Sequence, residues 1–423
     1  MKFVKEFVLL IALLTPCMPK IAFTSDISIY PLEILLIFAF PFIISKRFFL
    51  RKTLLAFWTC ISLSTLFSFI YGPIEIGGAM RCIKGIIYIP LIYIAYTSKR
   101  FSYQNMSIIL ILATLINITF HYSQGFSIIN VNIWDAEALM SGLSRWSYNI
   151  SSNSFVVQGF GGTHSIWGDY CVLAMCAAWL SYNTNKINKI LFVCSVIAAI
   201  TSLSLAVSRE AFVVLLFVFG GYFFANSIKN GKLQINGKAY LFIALVIIAT
   251  SYAIIEYGEN IALFQKMIYT IDSIQTSGKE QNMNLRIGAW TIFGLSLIQN
   301  PWAFFLGYGF NRENYTDCIA SITKNVNTDF VPIPESFFIQ ALSFGGIICL
   351  IYAIKFWKHL YCLFKSYPYR TSRFILIGLY SGLLFGSLFS GSAIISDLLY
   401  GQFLIFIGFL RKELITKYNI NKL

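Results

Sequence analysis

Long apolar runs separated by short polar segments recur along the whole chain. Their lengths approach the roughly 20 residues that a helix needs to cross a hydrocarbon core of about 30 Å. They predict helices near 6–23, 27–45, 53–71, 79–97, 106–121, 165–182, 190–207, 211–227, 239–256, 336–354, 374–391 and 394–410. The predicted fold is therefore an all-α polytopic membrane protein, a bundle of about twelve transmembrane helices forming a single integral membrane domain over residues 1–423. Helices are expected because lipid leaves backbone groups no partner except each other. The first run, "FVLLIALLTPCMPKIAF", starts like a secretory signal but lacks a small-x-small cleavage site and leads directly into another span. It is taken as the first transmembrane helix.

Two connections on the expected outer side are long, near 122–164 and 257–335. Connections longer than about 15 residues are usually functional or disordered. Both are rich in aromatic residues and glycine, as in "SRWSYNISSNSFVVQGFGGTHSIWGDY" and "NLRIGAWTIFGLSLIQNPWAFFLGYGFN". That composition argues for order. Both are expected to pack on the outer mouth of the bundle as a lid or a cavity wall. Within the second, the apolar run from Ile287 to Ile298 would rise about 18 Å as a helix, too little to span.

Composition supports the membrane assignment, with 57% hydrophobic residues and 12% charged residues, where soluble domains carry about a quarter charged. The net charge of +14 does not imply nucleic acid, because the basic residues are spread in short inter-helix segments and form no patch. Every second connection is basic: "SKRFFLRK", "TSKRF", "NTNKINK", "KNGKLQINGK", "KFWKHLYCLFKSYPYRTSR" and the tail "RKELITKYNINKL". By the positive-inside rule these connections and both termini are expected in the cytoplasm. Among the acids, Glu6 and Glu413 alone fall on that side. Of nine cysteines only Cys318 falls outside, which argues against a disulfide framework. His121, His164 and His359 are far apart and form no metal-ligand spacing, so no metal or other cofactor is called for.

Ionisable groups within or beside spans are costly unless they face a cavity or a partner. Arg81 and Lys84 stand at i and i+3 near the outer end of the fourth predicted span, where snorkelling to headgroups is the plain alternative. Arg209 and Glu210 stand at a tight outer turn and could equally be a solvated corner. Arg286 shares a helical face with Trp290, Phe293 and Leu297. A lipid phosphate, a cation–π contact with Trp290 or a fixed phosphate ligand would each satisfy it. Glu335 precedes the tenth predicted span behind Pro332 and Pro334, where a carboxylate also suits a helix N-terminus. Arg145 and His164, in the first long loop, complete the candidate binding residues. Gly307 and Gly309 of "GYGF" permit a tight turn or a close backbone approach.

The order of these motifs resembles the O-antigen polymerase and O-antigen ligase superfamily of bacterial surface polysaccharide synthesis. A span ending in "SR" and followed at once by another, a large outer loop with an arginine and a tryptophan running to "NP…GYGF", and a polar motif entering "FFIQALSFGGIICLIY" occur here in the family's sequence. The similarity covers residues 160–355. It implies an inner-membrane glycosyltransferase acting at the periplasmic face on an undecaprenyl-diphosphate-linked oligosaccharide. A flippase, a chain-length regulator and membrane lipids are the partners it implies. By the resemblance Arg209 and Arg286 would hold the diphosphate and His164 lies near a polar position common in the family; from its residue type Glu335 is the candidate general base, with Arg81, Lys84, Arg145 and Trp290 as further candidate binding residues. Ligases of the superfamily typically carry a histidine where this chain reads "PESFF". That departure favours a polymerase of repeat units over a ligase to lipid A-core. A flippase or secondary transporter is the rival from another class, against which stands the lack of matching half-repeats.

Overall fold

The structure, a computed structural model, describes residues 2–18, 21–22, 28–70, 74, 76–125, 164–206, 208–229, 232–233, 252, 256, 281–310, 335–389 and 397–418. The predicted span near 239–256, the whole interior of the loop near 122–164 and much of that near 257–335 lie outside these residues. Apart from turns and two short antiparallel ladders (Ile21–Ala22 with Ser28–Ile29, Ile228–Lys229 with Lys232–Leu233), the described residues are helical. The first five helices are α1 (Lys2–Leu14), α2 (Pro31–Ile44), α3 (Arg51–Phe67), α4 (Ile76–Tyr88) and α5 (Leu91–Thr97). Next come α6 (Tyr103–Gly125), α7 (His164–Asn183), α8 (Lys189–Ala206), α9 (Arg209–Ser227) and α10 (Gln281–Gln299). The last are α11 (Trp302–Leu306), α12 (Phe337–Lys365), α13 (Arg370–Phe389) and α14 (Asp397–Tyr418).

Every predicted apolar run except that near 239–256 contains a helix, though the run near 6–23 is helical only to Cys17 and that near 79–97 is broken between α4 and α5. Six stretches among the described residues are long and apolar enough to cross a membrane: Arg51–Ile70, Ile76–Thr97, Lys189–Ala206, Arg209–Ser227, Phe337–Lys365 and Arg370–Phe389. The sequence predicted twelve. Of the other six, the run near 239–256 lies almost wholly outside the described residues, α6 counts as apolar only over Tyr103–Thr119, and the rest fall short in length or polarity. Helices α1 and α2 have 13 and 14 residues, about 20 Å each, short of a full crossing. Helix α7 is long enough but carries Asp169, and α14 carries Gln402 and a charged end.

Helix α7 is the hub. Residues 167–181 are all buried, and the helix packs on α6, α8, α9, α13 and α14. Helices α9 and α13 run antiparallel on glycines. A Cβ at Gly378 or Gly221 would collide with a backbone carbonyl of the other helix, while Gly382 meets Val214 and Gly386 meets Glu210. Small residues at such spacing let two backbones touch, which is how helices associate where no hydrophobic effect separates them from lipid.

The basic connections gather at one end. There Glu6 accepts hydrogen bonds from Ser98 Oγ at 2.7 Å and from the Lys99 amide at 2.8 Å. Lys412 Nζ donates to the Phe101 carbonyl at 3.2 Å, and Arg411 lies over the Phe49 ring at 5.5 Å. Glu413 pairs with Lys186 at 3.4 Å and accepts from Tyr367 Oη at 2.8 Å. Both acids that the sequence placed among the basic connections therefore act as clamps within them. Away from that end, Lys84 Nζ pairs with Glu33 at 3.2 Å, their side chains 9% and 2% exposed, and Tyr88 Oη donates to the other Glu33 oxygen at 3.0 Å.

A buried pair broken from one side leaves an uncompensated charge, which costs about 3–5 kcal/mol, whereas removing both partners is often neutral. Glu33→Gln should therefore lower the thermal unfolding temperature of the purified protein sharply, and Glu33→Leu combined with Lys84→Met should recover most of the loss. An unchanged unfolding temperature for the single variant would show that the pair braces nothing.

Candidate functional site

Helix α12 is 29 residues long, about 43 Å if straight. It is not straight. Gly346 has φ 71° and ψ −173°, outside the helical region. The Phe337 and Trp357 rings, which a straight helix would hold about 30 Å apart, are 6.3 Å from each other, and Phe337 also stacks on Phe57 at 5.9 Å. The chain therefore reverses at Gly346. A short arm, residues 337–345, folds back along a long arm, residues 347–365, whose length of about 28 Å matches the hydrocarbon core.

Glycine makes the reversal possible and the preceding turn locks it. Gly307 and Gly309, with φ of 75° and 76°, bring the "GYGF" turn against it. A Cβ at Gly307 would stand 2.8 Å from the backbone of Phe344 and Gly345, one at Gly309 would stand 2.6 Å from Thr65 Cα, and one at Gly346 would collide with the Phe305 carbonyl. The Tyr308 amide donates to the Ser343 carbonyl at 2.6 Å, and its hydroxyl donates to Ser296 Oγ at 3.0 Å. The Phe310 amide donates to Thr65 Oγ1 at 2.8 Å. Helices α3, α10 and α12 thus meet on one turn.

Phe310 sits at Thr65 of α3 while Phe337 sits at Phe57. Eight residues of helix separate these levels, about 12 Å. The start of the short arm therefore lies deeper toward the basic end than the turn. Helix α10 runs beside this arm, with Phe293 and Leu297 packed near Ile339 and Leu342. This packing sets Arg286 beside Glu335. Arg286 donates from Nε and from Nη2 to the single oxygen Oε2 of Glu335, each at 2.8 Å, with the two side chains 33% and 57% exposed.

Two sequence-nominated residues, 49 positions apart, are thus in contact. Glu335 does not cap α12. Ser336 is the N-cap, in extended conformation, and the Gln340 amide donates to its carbonyl at 2.7 Å. Nor is Arg286 held by Trp290, whose indole instead lies against Phe389 at 6.2 Å. A half-exposed ion pair beside a spanning helix is costly against hydrocarbon and must open on a polar route.

Other candidates fall nearby or apart. Arg209 is the first residue of α9, half-buried, with Ser208 Oγ accepting from the Ala211 amide at 3.2 Å. Its neighbour Glu210 touches Gly386, one turn before Phe389, which meets Trp290 one turn beyond Arg286. Glu210 and Trp290, the neighbours of the two arginines on α9 and α10, thus both meet the outer end of α13. Arg81 is exposed, its guanidinium 5.3 Å from the Phe310 ring. Lys84, expected beside it, is instead buried on Glu33. Arg145 and the side chain of His164 lie outside the described residues.

Sequence reasoning missed two acids. Glu33 neutralises Lys84. Asp169, 1% exposed, has no hydrogen-bond partner for either oxygen among the described residues, and Glu210 is its charged neighbour. A lone Asp within "IWGDYCVLAMC" was the signal for it. No protein-family model matches the chain, and no curated protein matches it.

Because a non-glycine residue at Gly346 would have both the wrong backbone region and a collision with Phe305, Gly346→Ala should destabilise the protein by roughly 1–3 kcal/mol. Gly220→Ala, in a helix with nothing within 4 Å of the added methyl, should be neutral or slightly stabilising. Thermal unfolding of the two variants should diverge in this direction; equal behaviour would remove the Gly346 lock.

Proposed function

We propose that this chain is a polymerase of lipid-linked oligosaccharide repeat units, of the O-antigen polymerase and ligase type, working at the periplasmic face of the bacterial inner membrane. The observation that carries the reading is the Arg286–Glu335 contact on a wall of two helices and a glycine turn. It joins a phosphate-binding side chain to a proton acceptor. The gathering of the basic connections at the far end supports a topology with both termini cytoplasmic. On this topology the twelve predicted spans alternate and the segments near 122–164 and 257–335 face the periplasm.

In the reaction, a sugar hydroxyl of one lipid-linked unit attacks the anomeric carbon of another. The new glycosidic C–O bond forms as the bond to the diphosphate oxygen breaks, and that electron pair leaves with the diphosphate. Arg286 and Arg209 stabilise the charge developing on the leaving group, so positioned guanidinium groups supply the electrostatic part of catalysis. The hydroxyl proton passes to the Glu335 carboxylate. Arg81, backed by the fixed Phe310 ring, extends the cationic rim. Lys84 is left out, since its charge is already matched.

Topology can be tested directly, with reporter fusions at Asn325 and Ser366 expected to give opposite signals. Matching signals would overturn the proposed sidedness.

Activity is read from lipopolysaccharide. A strain lacking the protein should show core plus a single repeat unit, and Glu335→Gln should reproduce that pattern through a loss of about 10²–10⁴-fold in rate. Arg286→Lys, which keeps the charge and loses the planar fork, should also be strongly impaired at normal protein level. Bare core in the deletion strain would make the protein a ligase, and a ladder of normal length from Glu335→Gln would remove Glu335 from catalysis.

A further inference from the structure

Resting on that assignment of Arg286 to the donor, we infer that Glu335 is the resting occupant of the donor's phosphate site, displaced from Arg286 when the diphosphate binds. The donor must then enter first, and its arrival frees the carboxylate that serves the acceptor.

The geometry of the pair points this way. Both Nε and Nη2 of Arg286 are directed at one carboxylate oxygen, so the edge of the guanidinium that faces Glu335 is fully used. A phosphate oxygen would take the same two donors. Carboxylate and phosphate therefore compete for one edge. The second oxygen of Glu335, Oε1, has no partner among the described residues, so nothing else seen here ties the carboxylate down.

The two partners differ in how they are held. Arg286 belongs to α10, whose Phe293 is buried against α12 and whose Trp290 lies on Phe389. Glu335 lies outside α12, one residue before its N-cap, and is more than half exposed. Turning its side chain away breaks no helical hydrogen bond. The carboxylate is the movable partner and the guanidinium the fixed one.

Comparison with the other ion pair in the bundle shows that this one is not a brace. Glu33 and Lys84 are almost wholly buried, with Tyr88 satisfying the remaining carboxylate oxygen. Arg286 and Glu335 are about a third and more than half exposed, which places the pair among those that contribute little to stability. An exchangeable contact is what competition requires. A diphosphate carries at least twice the charge of a carboxylate, so at equal distance it is the stronger ligand.

The test is equilibrium binding of farnesyl diphosphate, a short polyprenyl diphosphate, to the purified full-length chain in a neutral detergent at low salt. Phosphatidylglycerol serves as the control for a simple lipid phosphate. Removing the competitor by Glu335→Gln should tighten farnesyl diphosphate binding roughly two- to fivefold, and Glu335→Ala should do the same. Arg286→Ala should abolish the gain in either background. Unchanged or weaker binding in both Glu335 variants, with binding still lost in Arg286→Ala, would overturn the displacement and leave the donor assignment standing. Wild-type binding that does not depend on Arg286 would overturn the donor assignment and the displacement with it. Equal tightening toward phosphatidylglycerol would make the site one for any lipid phosphate and overturn the link to the donor.

Discussion

The contact on which the rest of this site depends is backbone against backbone at Gly346, where the carbonyl of Phe305 occupies the space a side chain would need. Without a Cβ the chain can reverse inside α12, and without the reversal its first nine residues would continue outward as a straight helix. The turn that closes over it is itself built on two left-handed glycines. Three donors of that turn find partners on three different helices: Ser343 on α12, Ser296 on α10, Thr65 on α3. Irregular backbone at membrane depth is tolerated only where protein or a polar cavity surrounds it, and here the Ser296 and Thr65 hydroxyls and the Ser343 carbonyl provide that surrounding. Arg286 and Glu335 inherit their adjacency from this joint. Neither one creates it.

Charge is distributed between two tasks. Inside the bundle and at its basic end, acids and bases are consumed by each other: Glu33 with Lys84, Glu413 with Lys186, Glu6 with the Ser98 and Lys99 corner. Such groups fix helix register, because a displaced partner would strand a charge where water cannot reach it. Around the reversal the charges are more exposed and their contacts softer. Arg81 rests on an aromatic ring and Arg286 on a carboxylate that is open to exchange. The same residue types thus serve as structural pins where buried, and under the proposed function as ligand-facing groups where half-exposed. Burial, more than identity, decides between them.

This also explains what was legible beforehand. Apolar runs located the helices because burying backbone in lipid demands a helix wherever side chains are apolar for long enough, and the basic connections foretold which ends would cluster. The glycines of "GYGF" announced a close approach, and Arg286 and Glu335 stood out as charges beside apolar runs. Their contact could not be read, since it depends on a reversal at one glycine in "SFGGII" that looks like the interior of an ordinary span. The fate of Lys84 was hidden for a similar reason: its partner Glu33 is 51 positions away on another helix. Gly378, Gly382 and Gly386, spaced by four, did carry a readable helix-packing signal. Among the described residues six stretches are long and apolar enough to cross on their own, because several helices satisfy length or hydropathy without the other.

A polymerising site has a problem that a single-turnover site lacks. Each cycle leaves behind a polyanionic lipid diphosphate, and the stronger the guanidinium groups that stabilised its departure, the more slowly it clears. On the proposed displacement, the carboxylate beside Arg286 would answer this within one contact. Coupling between two ligands for one site is reciprocal. If Glu335 raises the cost of donor entry, it lowers by the same factor the cost of leaving-group exit, because its return to Arg286 replaces the interactions that the departing phosphate gives up. On the proposed function, the pair seen in the resting structure would also be the end state of each cycle, and its modest strength would suit both directions. A stronger pair would exclude the donor, and a weaker one would retain the product.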